Sequence, residues 1–373
     1  MSSEPTTISA QELAVILRGR KGGAEVFTGN QIKAVTRVIP TGDIVLDALL
    51  RGGIHVPRIM EIYGDESTGK TTLEYQLMVG VQQAGGLVIF IDAEQAWDPE
   101  RFRSMGGDPD NVLLIPALPL EQTFDEARDA VNAARDAGHT GPIVVFYDTI
   151  AASMPFSTSQ DADEKSQSKT GGGMGEKARI IRDRLQKAIA QSYRTDHAMV
   201  LINQTFMKIG VVFGDPKDTG GGGSVKFYSS IRVKVTRAGM FTLKPPADKK
   251  QSREDKEKAS RSAKVDALGI IVRLEVTKCK VFKPYDKAEV VILFETGLSR
   301  GWSVAHYLRE NKIVCPLHGE EVIQGAGGWF FLLNEEGERI RCRFRDIVDT
   351  INEYDLWAYY KMIVESSFGI YGG

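Results

Sequence analysis

The chain has 373 residues, 42% of them hydrophobic, and a formal net charge of −2. This length and apolar content exclude a peptide or a repeat array and allow one large domain with small appendages. The small net charge excludes attraction of nucleic acid by the field of the whole molecule, so such a partner would need a local basic surface. Three widely spaced cysteines and the lack of a long apolar run predict a cytoplasmic protein without disulfides or membrane contact.

The first half of the chain predicts a short N-terminal arm, residues 1–38, followed by an α/β core. The arm contains an amphipathic helix over 9–20 and a basic stretch with glycines. Beyond it, apolar strands alternate with helices: strand 59–63, helix 69–84, strand 87–92, a helix from Asp98, strand 112–115, helix 121–137 and strand 143–148. Continuous apolar strands separated by helices are typical of a mostly parallel sheet covered on both faces.

The second half predicts two polar loops and an antiparallel extension of the sheet. The loops lie near 156–175 and 205–224, separated by a predicted helix over 176–192 and a strand over 198–203. Long loops of this kind inside a compact domain usually have a function. Strand-like stretches with alternating apolar and polar residues follow at 227–237, 268–277 and 288–294.

Composition distinguishes two further segments. Residues 244–264 carry eight basic and four acidic residues, which predicts a solvated, disordered insertion, with a non-specific contact to DNA phosphate as the alternative. Residues 299–373 predict a small α+β C-terminal domain whose aromatic side chains belong to a core rather than to a base-stacking surface. Within it, Cys315 and His318 have metal-like spacing, but no second pair completes a zinc site.

A phosphate-binding loop is the most specific motif of the chain. A predicted strand and a predicted helix flank a stretch that fits G-x-x-x-x-G-K-[ST], namely Gly64, Asp65, Glu66, Ser67, Thr68, Gly69, Lys70 and Thr71. In this context backbone N–H groups and the helix N-terminus bind phosphates, the lysine reaches the β- and γ-phosphates, and the threonine hydroxyl binds Mg²⁺. The sequence therefore predicts a site for a nucleoside triphosphate.

Three polar residues end strands of the predicted sheet, at the edge where ligands bind. Glu94 is a candidate base that orients the attacking water, with a surface carboxylate or a helix cap as the alternative. Asp148 ends a strand of Walker B form and is expected to assist Mg²⁺ through water. Gln204 precedes the second loop, where its amide either senses the γ-phosphate or is simply exposed.

The order and spacing of these motifs resemble those of the bacterial RecA recombinase family over residues 40–298. The matching stretches are 61–64 with the phosphate-binding loop, 90–94 with Asp98 and Pro99, 202–204, 207–210 with 213–214, and 226–228. The resemblance implies an ATPase core over residues 39–298 that uses ATP and Mg²⁺. It also implies an arm that docks on the neighbouring subunit, and a homo-oligomeric helical filament on DNA.

The same resemblance places Lys278 and Lys280 in the ATP site of the neighbouring subunit, where they would stabilise transition-state charge. Their spacing alone puts them on one face of a strand, for which a solvated edge is the alternative. The resemblance extends the nucleotide site to Thr72, Asp98 and Arg101. It assigns DNA binding in the two loops to Met174, Arg179, Met207, Lys208, Ile209, Gly221 and Gly222.

Two positions depart from the family pattern. Phe206 stands where an arginine is usual, which removes a phosphate contact and adds an aromatic surface. Arg101 stands where a tyrosine usually stacks on adenine, so adenine is expected to stack on the Arg101 guanidinium or on Phe102.

The resulting hypothesis is a DNA-dependent ATPase recombinase that assembles on single-stranded DNA and pairs it with homologous duplex DNA. Two alternatives stay open. One is a ring helicase or a recombinase-like regulator built on the same core. The other is a scaffold that coats DNA and uses ATP only to lock the filament, against which Glu94 and Gln204 argue.

Overall fold

The computed structural model describes residues 8–19, 28–29, 35–155, 173–207, 217–220, 223–243, 266–326 and 329–369. Its first elements are α1 (Ala10–Arg18), β1 (Arg37–Ile39), α2 (Ile44–Leu49), β2 (Ile54–Val56), β3 (Ile59–Gly64), α3 (Lys70–Gln83), β4 (Leu87–Asp92), α4 (Pro99–Ser104), β5 (Val112–Pro116), α5 (Leu120–Asp136) and β6 (Ile143–Asp148). Next come α6 (Gly173–Thr195), β7 (His197–Met207), β8 (Lys217–Thr219), α7 (Gly223–Tyr228), β9 (Ile231–Phe241), β10 (Gly269–Cys279), β11 (Lys287–Leu293) and β12 (Gly297–Leu298). The last are α8 (Arg300–Glu310), β13 (Ile323–Ala326), β14 (Trp329–Leu333), β15 (Arg339–Cys342), α9 (Ile347–Glu353) and α10 (Trp357–Ser367).

The central sheet has the strand order β12-β11-β10-β9-β3-β7-β6-β4-β5, with β8 paired to β7. The six strands from β9 to β5 are parallel to one another. On the other side of β9, the strands β10, β11 and β12 are antiparallel. The predicted α/β fold, with a mostly parallel sheet and an antiparallel extension, is confirmed.

Helices cover both faces of the inner parallel strands β4 and β6, which explains why these two strands are apolar over nearly their whole length. Along β6, Val144 and Phe146 belong to the core that α2 and α3 complete. The alternate residues Val145 and Tyr147 belong to a second core formed with α5 and α6. Side chains of a strand point to opposite faces in turn, so a strand buried on both sides needs apolar residues at nearly every position.

Three predicted boundaries differ from the structure. Residues 227–230 were expected in a strand, but α7 runs to Tyr228 and β9 begins only at Ile231. Two features favour the helix: Val225 is fully buried, and Ser229 closes the last turn by donating its backbone N–H and its hydroxyl to the Val225 carbonyl. The predicted loop near 156–175 likewise overlaps α6, and the loop near 205–224 includes β8, which pairs with the end of β7.

Some of the predicted segments lie outside the described residues. They are 156–172, 208–216, 221–222 and the charged insertion 244–264. Among the described helices, none is both long enough and apolar enough for a membrane span.

Residues 299–369 follow the last strand of the central sheet and pack against it through α8. Helix α8 contacts β11 and α2, and β13, β14 and β15 form a separate antiparallel sheet. The ring of Trp302 lies 5.0 Å from that of Phe241 on β9 and 5.3 Å from that of Phe344. Trp302 therefore packs, partly buried, against the core.

The pair with metal-like spacing has separate partners. Cys315 Sγ lies 3.0 Å from the Tyr359 hydroxyl, and His318 Nε2 lies 2.8 Å from the carbonyl oxygen of Glu335. Within the ranges that the structure describes, no group of three or more His, Cys, Asp or Glu residues is arranged to hold a metal ion.

Candidate nucleotide site

The loop between β3 and α3 depends on two glycines. Gly69 has a φ of 92°, and a Cβ there would lie 2.7 Å from Ile292 Cδ1. A Cβ at Gly64 would lie 2.2 Å from the carbonyl oxygen of Val235 on β9. Only glycine tolerates such backbone positions, so the loop stays close to the sheet and ends at the N-terminus of α3. The first N–H groups of that helix have no intrahelical partner and suit an anion.

Lys70 begins α3 and points back into the loop. Its Nζ donates to the Asp65 carbonyl oxygen at 2.7 Å, and the Thr68 hydroxyl donates to the same oxygen at 2.8 Å. Burial lowers the pKa of Lys70, while the charges of Asp148 and Glu94 act in the opposite direction. The ammonium group is thus held by a neutral carbonyl, a partner that a phosphate can replace with a stronger, charge-assisted bond.

Asp148 lies beside Thr71 at the carboxyl edge of the sheet. Thr71 Oγ1 donates to Asp148 Oδ2 at 3.5 Å. Burial, and after it the charge of Glu94, raises the pKa of Asp148 to about 6. An incoming cation would favour the ionised carboxylate. A hydroxyl and a buried carboxylate are ligands that suit a hard divalent ion such as Mg²⁺.

Glu94 contacts Gln204 at the same edge. Asp92 at the end of β4 accepts the backbone N–H groups of Ala96 and Trp97, each at 3.0 Å, and so fixes the turn that carries Glu94. Gln204 Nε2 on β7 donates to Glu94 Oε1 at 2.9 Å. Two residues identified from separate motifs, 110 positions apart, therefore touch.

The sequence gives no local signal for a second contact between β7 and the loop. The Thr205 hydroxyl donates to Asp65 Oδ1 across 140 positions of chain. Together with the bond between Gln204 and Glu94, it joins the end of β7 to both sides of the candidate phosphate site. A group that displaces the Gln204–Glu94 or the Thr205–Asp65 hydrogen bond would therefore act on β7, the strand that leads into the second predicted loop.

Asp98, Arg101 and Thr72 lie together on one flank of the site. Asp98 caps α4 by accepting the Arg101 N–H at 2.9 Å. Arg101 Nη2 donates to Thr72 Oγ1 at 3.0 Å, and Nη1 donates to the Phe294 carbonyl oxygen at 3.2 Å. The guanidinium thus bridges α3 and the turn after β11.

Phe102 does not offer an aromatic surface to a base. Its side chain is fully buried, and its ring centroid lies 5.5 Å from that of Tyr75 and 5.1 Å from that of Trp97. The expectation that adenine could stack on Phe102 is therefore wrong. The six-residue helix α4 directs Phe102 into the core and leaves Arg101 on the side of the site.

Lys278 and Lys280 direct their ammonium groups to one point. Lys278 Nζ donates to the Phe227 carbonyl oxygen at 3.0 Å, and Lys280 Nζ donates to the same oxygen at 3.3 Å. The Lys280 ammonium also lies 5.5 Å from the centroid of the Phe227 ring. Burial, followed by the charges of Lys280 and Arg232, lowers the pKa of Lys278.

These lysines lie at the edge of the sheet opposite to the phosphate-binding loop. Gly64 is level with Val235, which is level with Leu274 on β10, whereas Lys278 pairs with Arg232. At ~3.3 Å per residue, the three positions from 235 to 232 on β9 separate Lys278 from the loop level by about 10 Å along the strand. Lys280 lies still further along the chain.

The predicted DNA-binding residues are described only in part. Arg179 is exposed on α6, and Met174 lies in the first turn of that helix. Met207 ends β7, next to Phe206, whose side chain is 49% exposed. Lys208, Ile209, Gly221 and Gly222 lie outside the described residues.

A buried polar network joins the strands between the two edges. Glu61 on β3 accepts hydrogen bonds from Arg232 Nε and from Asn203 Nδ2, the latter at 2.9 Å. Asn203 Nδ2 also donates to the carbonyl oxygen of Gly220 at 2.9 Å, and the Arg232 guanidinium lies 4.3 Å from the centroid of the Tyr63 ring. Only the acidic residue within an apolar strand hints at this network in the sequence.

The site lies at the carboxyl edge of a mostly parallel sheet and combines a glycine-bearing loop before α3 with the Glu94–Gln204 pair. This arrangement defines a protein of the P-loop nucleotide-binding class. Comparison with known proteins is more specific. The family model of the RecA N-terminal domain matches residues 12–299. The chain therefore belongs to the RecA family, which groups it with ATP-dependent proteins of DNA recombination and repair.

Individual relatives support this assignment over most of the chain. Protein RecA of Clavibacter michiganensis subsp. michiganensis is 34% identical over 324 residues, 85% of this chain and 77% of the relative. Protein RecA of Mycobacteroides abscessus is 32% identical over 367 residues, 95% of this chain and 93% of the relative. Protein RecA of Petrotoga mobilis is 36% identical over 304 residues, 81% of this chain and 72% of the relative.

Proposed function

We propose that this protein is a DNA-dependent ATPase recombinase. It would form a helical filament on single-stranded DNA with ATP and Mg²⁺, and promote pairing and strand exchange with homologous duplex DNA. Family membership supports the class of function. The observation that carries the mechanism is the 2.9 Å hydrogen bond between Gln204 and Glu94 at the candidate phosphate site.

The phosphates would occupy the loop and the N-terminus of α3. Lys70 would leave the Asp65 carbonyl for the β- and γ-phosphates, and Thr71 and Asp148 would hold Mg²⁺, which neutralises phosphate charge when it is bound. The proposed nucleotide contacts are Gly64, Asp65, Glu66, Ser67, Thr68, Gly69, Lys70, Thr71, Thr72, Asp98 and Arg101.

Glu94 would orient the attacking water and accept its proton. The Gln204 amide donates to one Glu94 oxygen. A γ-phosphate offers that amide a stronger acceptor, so Gln204 would turn to the phosphate and release the oxygen that the water needs. The same turn would move the end of β7, and with it the loop proposed to bind DNA.

Lys278 and Lys280 would complete the site of the adjacent protomer. Their position at the opposite edge of the sheet supports action between subunits, because about 10 Å of strand separates Lys278 from the level of its own loop. Two ammonium groups directed at a neighbour's phosphates would stabilise transition-state charge.

The remaining assignments concern assembly and DNA. Residues 1–38 would form the docking arm, in which Leu13, Val15 and Ile16 of α1 present 44%, 67% and 49% of their side chains to solvent. Residues 39–298 would be the core, and 299–373 the C-terminal domain. The proposed DNA contacts are Met174, Arg179, Met207, Lys208, Ile209, Gly221 and Gly222.

Electron microscopy with and without single-stranded DNA and ATP tests the proposal, together with ATP turnover and strand exchange. We expect extended filaments that need both ligands and DNA-stimulated turnover. Gln204→Ala should retain ATP binding and lose most of the stimulation by DNA, while Glu100→Gln on the exposed side of α4 should behave as the parent. Closed rings that unwind duplexes without strand exchange would favour the helicase alternative, and filaments without turnover would favour the scaffold.

A further inference from the structure

Glu74 is a buried carboxylate for which the proposed roles give no use. It lies on α3, three residues after Thr71 and four after Lys70, so it shares their face of the helix. Its side chain is fully buried, and neither carboxylate oxygen has a hydrogen-bond partner in the described structure. An ionised carboxylate in that position is unfavourable unless a positive group compensates it.

The surroundings of Glu74 are acidic. Burial raises the pKa of Glu74 well above its usual range, and Asp148, Asp92 and Glu94 act in the same direction. Asp148 is the strongest of these neighbours. Asp92 uses both of its oxygens to hold the turn before α4, whereas the side chains of Glu74 and Asp148 interact directly with each other. Two carboxylates that face each other require a proton or a cation between them.

We propose that Glu74 is a further ligand, directly or through one of the ion's water molecules, of a divalent cation held between Thr71 and Asp148. The proposal rests on the proposed function, because the ion is that of the ATP site. Two carboxylates, a hydroxyl and water are an oxygen set that Mg²⁺ and Mn²⁺ accept. Glu74 would be a second anionic protein ligand beside Asp148, so binding of the ion would not need the phosphates of ATP. The protein would therefore bind the ion before the nucleotide arrives.

Metal binding to the nucleotide-free, full-length protein tests this directly. Mn²⁺ is titrated into the protein, and the free ion is measured by electron paramagnetic resonance. We expect Glu74→Gln, which keeps the shape and removes the charge, to weaken Mn²⁺ binding at least tenfold. The exposed control Glu100→Gln should bind Mn²⁺ as the parent does. Circular dichroism checks that the variants are folded.

Thermal stability gives a second reading without nucleotide or DNA. Mg²⁺ should raise the melting temperature of the parent, because it binds only the folded state. Glu74→Gln should show a much smaller rise with Mg²⁺ than the parent, because it lacks one of the two anionic ligands. Equal Mn²⁺ affinity in the two proteins, or no binding by the parent without nucleotide, would overturn the proposal. In that case a proton shared by Glu74 and Asp148 accounts for the buried pair.

The outcome is separable from that of the proposed function. Normal filaments and strand exchange, combined with Mn²⁺ binding that ignores Glu74, would refute only the role of Glu74. If Mn²⁺ binding depends on Glu74 but the protein forms no filament on DNA, only the proposed recombinase function is refuted.

Discussion

Replacing Glu61 by alanine should destabilise the protein by about 3–5 kcal/mol, the usual cost of removing one partner from a buried ion pair. Glu61 is fully buried on β3 at the centre of the sheet, and only 11% of the Arg232 side chain is exposed. The substitution leaves the Arg232 guanidinium without its carboxylate, although its Nη2 already lacks a hydrogen-bond partner. It also removes one of the two acceptors of Asn203 Nδ2.

Urea denaturation followed by circular dichroism measures this loss. The matched control is Glu100→Ala, which removes an ion pair with Arg103 whose side chains are 82% and 53% exposed. Exposed pairs contribute roughly 0–1 kcal/mol, so the control should stay close to the parent. A double replacement of Glu61 and Arg232 by methionine should lose much less than the sum of the single changes, because no charge is left alone.

A loss below about 1 kcal/mol for Glu61→Ala, similar to that of the control, would refute the reasoning. It would mean that water reaches Arg232 or that the strands adjust to pair it again. The same variant reports on coupling, since the network lies between Gln204 on one edge and Lys278 on the other. We expect DNA to stimulate its ATP turnover less than in the parent, under conditions where both are folded.

Three further predictions concern the reaction and DNA. Glu94→Gln should bind ATP and slow hydrolysis strongly, giving long-lived filaments, because an amide positions water but is a poor base; rapid turnover would assign the water to another residue. Lys280→Ala should lose most DNA-stimulated hydrolysis. An equal mixture of the Lys280→Ala and Lys70→Ala proteins should regain activity, because roughly a quarter of randomly formed interfaces then join an intact phosphate-binding loop to an intact Lys280. No recovery despite co-assembly of labelled subunits would contradict action between protomers. Phe206→Arg should steepen the salt dependence of DNA binding by about one unit of slope or less, and an unchanged slope would place residue 206 away from the DNA backbone.

The sequence predicts the parallel core well because its signals are local. A buried strand, a glycine loop and a helix follow one another, and each is specified by residues close in the chain. Residues 227 and 228 were misjudged for the opposite reason: Phe and Tyr favour a strand by propensity, but they end the helix α7, in which Val225 is fully buried. Propensity yields to tertiary packing in such short elements.

Side-chain contacts between elements were the least predictable part of the site. Glu94 and Gln204 could be proposed from their strand ends, but nothing local indicates that Thr205 reaches Asp65 or that Glu74 faces Asp148. The choice between Arg101 and Phe102 also depended on the direction of α4, which six residues do not specify. These contacts follow from how the sheet and helices are assembled.

The separation of the loop and the lysines to opposite edges of one sheet would give the proposed filament a direction. Each protomer would offer a lysine pair on one side and need one on the other, so a row of protomers would contain one fewer complete site than it has members. The protomer at one end would then hold ATP that it cannot hydrolyse efficiently, and an isolated protomer would be nearly idle. Turnover per protomer should therefore rise with length in short assemblies and level off in long ones, which makes hydrolysis a measure of filament continuity.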